Sequence, residues 1–303
     1  MQAPYPESSG EISKSDLHYL AKKRRRWERE FSHTKSKQLR WHTGDVPETL
    51  QSFFEKYDPP KGLAVDLGCG ISPSTAFIAE KGFMPAVGLD IALSAVVKAQ
   101  KMSGELSVTP DYVVAAAPFL PFKSEQAGFL YDRGCMHALP STLWQPYLSA
   151  VSRILKPGGY FQLWTKALPG LNLEKTPISN LEIMDFEAFD FDLKDGRQRQ
   201  IHHVIYRKKL SAATEVAGES APAERVFIEA LAHPKTGEPL ELADDHFLES
   251  VNRDIETGKL QNAAGNLLKQ PLTAALITQS KGALFPVKHG APILLIDEEI
   301  TIE

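Results

Sequence analysis

The segment Gly62-Leu-Ala-Val-Asp-Leu67, followed at once by Gly68-Cys69-Gly70, constrains this chain more than any other stretch. A short apolar run that stops in glycines reads as a buried strand. Glycines at its end let backbone N–H groups approach a ligand with no side chain in the way. Ser72-Pro73 is a good start for a helix over 73–82. A second strand over Pro85 to Asp90 ends in a carboxylate, placed where a ribose diol can donate to it.

The alternation continues. A helix is expected over 91–102, strands over Val108 to Ala115 and Ala127 to Asp132, a helix over about 142–155, and a strand over Tyr160 to Thr165. Such alternation predicts a parallel sheet with helices on both faces. Phe186 to Leu193 and Arg199 to Tyr206 flank Lys194-Asp195-Gly196-Arg197, and Asp-Gly between alternating runs predicts a hairpin. The fold expected is α/β, a Rossmann-like seven-stranded sheet with an antiparallel last strand, plus a small α+β C-terminal domain.

Four regions follow from composition: an N-terminal tail and basic helix over 1–40, the α/β domain over 41–210, a small polar linker over 211–223, and the C-terminal unit over 224–303. The C-terminal unit combines helical spacing over 226–232, a turn at 233–239, a helical stretch near 246–257 and two short strands around Gly290. Residues 1–40 carry ten Lys/Arg against five Asp/Glu, whereas residues 224–303 carry seven against 13. A basic arm on an acidic body hints at an anionic partner. No apolar run is long enough to span a membrane, and the N-terminus lacks a secretory pattern. Two cysteines, Cys69 and Cys135, make neither a disulfide scaffold nor a cysteine-rich metal site. A cytoplasmic setting is expected, with no metal.

The glycine loop is not a dinucleotide fingerprint. Ile71, Ser72 and Pro73 replace the later positions of G-x-G-x-x-G, and Pro73 removes an N–H that a pyrophosphate would need. Asp66-Leu-Gly-Cys-Gly70 followed by Gly88-Leu-Asp90 instead resembles the class I S-adenosylmethionine-dependent methyltransferases. Leu120-Pro-Phe122, Tyr131-Asp-Arg-Gly134 and Ile154-Leu-Lys-Pro-Gly-Gly159 extend the likeness over about 150 residues. The resemblance implies S-adenosyl-L-methionine as cofactor. It places Asp66, Gly68 and Gly70 at the methionine portion, Asp90 on the ribose hydroxyls and Ile91 on adenine. The Asp often found facing the adenine amine is Ala116 here, which leaves the backbone of Ala116 and Ala117 to that task.

The acceptor is expected at the carboxyl ends of the fourth and fifth strands, beside Asp132 and His137. Asp132-Arg-Gly-Cys-Met-His-Ala-Leu-Pro140 resembles small-molecule methyltransferases, including the thiopurine and thiol group. Asp132 is a candidate at both cofactor and acceptor. His137 is either a base for an oxygen or nitrogen acceptor or a packing residue. Cys135 reads as a small apolar filler. Trp41-His-Thr-Gly44 resembles N-terminal segments that fold over the cofactor, so Trp41, with Trp27, is a candidate lid. His202 and His203, adjacent on a strand, face opposite sides and cannot jointly hold a metal.

Leu231-Ala-His-Pro-Lys-Thr-Gly-Glu-Pro-Leu240 and Gly282 to Asp297 resemble a zinc-ribbon-like methyltransferase-activator domain. This unit has no cysteine, and His233 stands at the first ligand position, so a metal-free module is expected. The resemblance implies intramolecular docking through residues 284–296. The function expected is methyl transfer to a small-molecule acceptor at S, O or N. The alternative is an RNA nucleoside methyltransferase using the basic run 22–26.

Overall fold

The computed structural model describes residues 12–33, 44–104, 108–175, 178–192, 198–210 and 223–302. Helix α1 (Lys14–His33) precedes α2 (Glu48–Lys56). Then come β1 (Leu63–Leu67), α3 (Ser74–Glu80), β2 (Ala86–Asp90), α4 (Leu93–Ser103), β3 (Asp111–Val114), β4 (Ala127–Arg133), α5 (Trp144–Ile154), β5 (Leu155–Lys166), β6 (Leu181–Asp192) and β7 (Gln198–Lys208). The seven strands form one sheet in the order β3-β2-β1-β4-β5-β7-β6. β3 to β5 run parallel, and β7 enters antiparallel between β5 and the edge strand β6. This is the Rossmann-like α/β arrangement. The expected Asp-Gly turn lies outside the described residues, but Asp192 pairs with Gln198 across its base.

Several boundaries differ from expectation: β3 begins at Asp111 and not Val108, and β6 begins at Leu181 and not Phe186. α3 begins at Ser74, with Pro73 preceding it and Ser72 Oγ accepting from Ser74 N at 3.2 Å. β5 begins at Leu155, because Lys156-Pro-Gly-Gly159 continues extended instead of ending α5 in a loop.

Both faces of the sheet are covered, as its continuous apolar strands require. One face packs Leu50 and Phe53 of α2 with Ile78 and Ala79 of α3 against Phe129, Tyr131 and Tyr160. Phe53 stacks on Phe129 at 4.7 Å between ring centres. On the opposite face α5 contributes Tyr147, Leu148, Val151 and Ile154. No helix lies between β3 and β4, all of residues 115–126 being described. That stretch of the face is covered instead from the C-terminal unit. Phe227, Leu231, Phe285 and Leu294 share one apolar cluster with Val87, Leu89, Val113 and Phe122.

The C-terminal unit comprises α6 (Ala223–Ala230), β8 (Leu240–Leu242), α7 (Asp245–Glu256), β9 (Ala275–Thr278), β10 (Ala283–Lys288), β11 (Ala291–Pro292) and β12 (Ile300–Thr301). Its sheet runs β11-β10-β9-β8, with β12 also on β10. Asp244 caps α7, accepting from Phe247 N at 2.8 Å. A small core of its own gathers Leu248, Val251, Ile255, Ile277, Leu284 and Ile300. Backbone bonds join the unit to the larger sheet. Leu294 N donates to Val114 O at 2.8 Å, Ala232 N to Pro121 O at 2.9 Å, and Lys123 N to Ala230 O at 3.0 Å. Ile293 also forms a parallel bridge with Val114 at the β3 edge.

Candidate active site

The carboxyl ends of β1, β2 and β4 bring three acids together. Asp66, Asp90 and Asp132 are 3%, 7% and 0% exposed. Asp66 Oδ2 accepts from Thr75 Oγ1 at 2.8 Å. Asp90 spends one oxygen on Gly70 N (3.0 Å) and the other on Ala92 N (2.9 Å). Asp132 accepts from Cys135 N (2.7 Å), Met136 N (2.9 Å) and the Tyr147 hydroxyl (2.6 Å), and so holds the loop after β4. Burial pushes the Asp66 carboxyl up to about 7, above the effect of its Thr75 bond. It also pushes Asp90 and Asp132 up to about 6 each, against the lowering effect of their hydrogen bonds. A carboxylate set so poorly solvated favours a cation.

The glycine loop turns tightly. Gly68 N and Cys69 N both donate to Leu89 O, at 2.7 and 3.0 Å. Gly68 and Gly70 have φ of +75° and +55°, a region that favours glycine. A Cβ on Gly68 would lie 2.8 Å from Cys135 Cβ, so the loop after β4 closes on the glycine turn. Cys135 fills this contact, and burial holds its thiol well above the ordinary range.

Helix α1 crosses the top of the loop. Phe31 lies 3.4 Å from the point a Gly70 Cβ would occupy and packs with Ile71, Ala92 and Ala95, and Trp27 adjoins it. Glu28 accepts from Ser94 N at 3.1 Å at the start of α4, and Lys98 donates to Phe31 O. Tyr19 donates to Ala138 O at 3.1 Å. Arg24 reaches the C-terminal unit, at 3.2 Å from Asp297 and 2.7 Å from Glu298.

Ile91 is half-buried beside the cluster of Val96, Tyr112 and Val114. Ala116 and Ala117 are buried, and Ala116 O accepts from Phe119 N at 2.8 Å. His137 sits on a short 3-10 turn (Met136–Ala138), its Nδ1 accepting from Lys166 N at 3.4 Å, with Thr165 Oγ1 also at 3.4 Å. Burial, with Lys166, Arg199 and Lys23 nearby, holds its imidazolium down to about 3, so the ring is neutral at pH 7. Trp41 lies outside the described residues. Thr75, Tyr147, Glu28 and Phe31 are missing from the sequence reading. Of these only the Trp27/Phe31 pair, four apart on one helix face, left a signal.

In the C-terminal unit, His233 Nδ1 accepts from Lys235 N (3.0 Å) and Thr236 N (3.1 Å), and Nε2 lies 3.3 Å from Glu299. The imidazole thus organises its turn through hydrogen bonds. Among the described residues no group of three His, Cys, Asp or Glu side chains is placed to hold a metal.

Residues 64–159 match a family model described as a methyltransferase domain. That segment is similar to methyltransferase domains. An uncharacterised methyltransferase of Synechocystis sp. is 31% identical over 104 residues, 34% of this chain. The chain spans about half the length of that curated relative, 47% of it. A structure solved in work on conversion of a disulfide bond into a thioacetal group during echinomycin biosynthesis is 15% identical. That match covers 62% of this chain and 94% of the other, with a TM-score of 0.51, and shows the shared fold. A SAM-dependent methyltransferase of Anabaena variabilis matches at 16% identity, 63% and 95% coverage and a TM-score of 0.49.

Proposed function

We propose that the chain is an S-adenosyl-L-methionine-dependent methyltransferase acting on a small-molecule acceptor. The observation that carries this is the trio of buried acids at the ends of adjacent strands beside a glycine turn. A ligand bearing a sulfonium and an ammonium suits such a set, whereas a pyrophosphate does not. Bound S-adenosylmethionine supplies an electrophilic methyl group.

Asp66 and the Gly68–Gly70 backbone hold the amino-acid end. Asp90, fixed by two backbone donors, presents its remaining lone pairs to the ribose. Ile91 flanks the base, and the backbone of Ala116 and Ala117 reads its edge. Asp132 acts by position, fixing the turn that carries His137. A neutral His137 whose Nδ1 accepts from Lys166 N carries its proton on Nε2, so it donates a hydrogen bond to the acceptor and is not its base, which suits a nucleophile that ionises by itself, such as a thiol. The C-terminal unit plays an activator-like part within the same chain, covering the face that no helix covers.

Calorimetric titration with S-adenosylhomocysteine tests the cofactor assignment. Asp90→Ala is expected to weaken binding by about 1–3 kcal/mol. An unchanged dissociation constant would remove Asp90 from the site. The RNA reading draws on Lys22, Arg25, Arg26 and Arg29, exposed on α1. It requires RNA affinity that falls steeply with salt and turnover lost on deleting residues 1–26.

A further inference from the structure

Three cations from three elements meet beside His137. Lys166 ends β5 and pairs with Ile201 of β7. Arg199 lies two residues along β7, so it leaves the same face of the sheet as Lys166. Ala167 N donates to Gln200 O at 2.9 Å, which keeps the two strands paired at this end. Lys23 comes from α1, its Nζ 5.2 Å from the centre of the Tyr19 ring, whose hydroxyl is bonded to the residue after His137. All three are half-buried.

Their partners set them apart. Arg24, Lys56, Lys208 and Lys259 each sit within ion-pair distance of an acid. Among the described residues no acid stands at that distance from Lys23, Lys166 or Arg199. The Lys166 ammonium is held below its ordinary range, first by burial and then by Arg199 and Lys23. Mutually repelling, half-buried charges are costly unless an anion joins them. Lys166 lies at the carboxyl end of β5, its backbone N 3.4 Å from His137 on the turn after β4, on the acceptor side of the site.

We propose that the methyl acceptor is a small molecule carrying a carboxylate or phosphate, which Lys166 and Arg199 hold at the end of the sheet with Lys23 closing from α1. The anion is a handle and not the reacting atom. A guanidinium and an ammonium set side by side are suited to either oxyanion. The inference rests on the methyltransferase reading, since it places the handle relative to the proposed cofactor. A macromolecular polyanion fits less well, because the exposed basic face of α1, not this recess, offers the extended surface it needs.

The test titrates inorganic phosphate and malonate separately into the full chain, with S-adenosylhomocysteine titrated in parallel. At least one anion is expected to bind, about tenfold more weakly in Lys166→Gln and in Arg199→Gln. Lys166→Arg and Arg199→Lys, which keep the charge, should retain most of the affinity. Removing one of three repelling cations should not lower the melting temperature, so lost binding is separable from lost folding. Tighter binding of phosphate assigns the handle to a phosphate, and tighter binding of malonate to a carboxylate. A turnover arm compares 4-hydroxybenzoate and 4-hydroxyphenyl phosphate with 4-hydroxybenzamide, and mercaptoacetate with 2-mercaptoethanol. Preference for the anionic member, with KM raised by the glutamine variants, supports the proposal. It is overturned if neither anion binds, if binding ignores both glutamine variants, or if the neutral members react equally well. Single-stranded RNA that binds through Arg25 and Arg26 and is indifferent to Lys166 and Arg199 also overturns it. Absence of S-adenosylhomocysteine binding, with anion binding intact, would fail the cofactor reading alone.

Discussion

Asp66 shows how one buried carboxyl links folding, ligand and pH. Burial raises it to about 7 and raises Asp90 and Asp132 to about 6. Each acid therefore takes up a proton on folding. Their contribution to stability is fully present below the unfolded value, about pH 4, and is lost as pH rises through about 6 to 7. A bound cation pulls the same groups back toward ionisation and releases those protons. Affinity for S-adenosylmethionine is expected to rise between about pH 5.5 and 7.5 and then level off. S-adenosylhomocysteine, which lacks the sulfonium charge, should show a shallower rise. Calorimetry at the two pH values with both ligands checks this, and Asp66→Asn should flatten the profile. A flat wild-type profile would mean that the acids do not face the ligand's charge.

Among the elements, α1 bridges the most distant parts of the chain. It touches α4 through Glu28 and Ser94, the loop after β4 through Tyr19, and the C-terminal unit through Arg24. The Arg24 pairs are part-exposed and contribute at most about 1 kcal/mol each. The apolar contact of Phe31 with Ile71, Ala92 and Ala95 is the stronger attachment. Phe31→Ala is expected to cost about 3 kcal/mol of that attachment. Amide exchange should quicken across residues 14–33 while β1 and β2 keep their protection. Uniform loss of protection would mean that α1 is not a separable cover. The strands and glycine turn were legible because their signals are local: an apolar run, a glycine pair, an acid at the next strand's end. Glu28 and Ser94 are 66 residues apart, and no local period announces such a meeting. His137 was legible as a residue of the turn after β4. Its companions Lys166 and Arg199 were not, because they become neighbours only through the β5–β7 register.

In the whole molecule, the C-terminal unit completes the larger sheet's packing. The apolar cluster running from Val87 and Val113 to Phe285 and Leu294 crosses from one sheet to the other. A protease site introduced within residues 211–222, once cut, should leave two fragments that co-migrate on gel filtration. A chain ending at residue 210 should melt at lower temperature or precipitate, and recover when 223–303 is supplied separately. Equal melting temperatures for the shortened and full chains would contradict the shared cluster. The helical stretch near 246–257 and the turn at 233–239 were readable from the sequence. The filling of the face between β3 and β4 was not, since it substitutes distant residues for a helix the local sequence simply lacks.

The pairing of Ile293 and Leu294 with Val114 has a consequence for how this chain behaves in a crowd. An open sheet border is a template on which stray strands polymerise. Here the end of one border, at Val114, is covered by the chain's own Ile293 and Leu294. The other, β6, bears Glu182, Asp185, Glu187 and Asp190, whose charge repels a like neighbour. Fibre-like growth is thus blocked by occupation on one flank and by repulsion on the other, and losing residues 291–295 would reopen the occupied flank to aggregation.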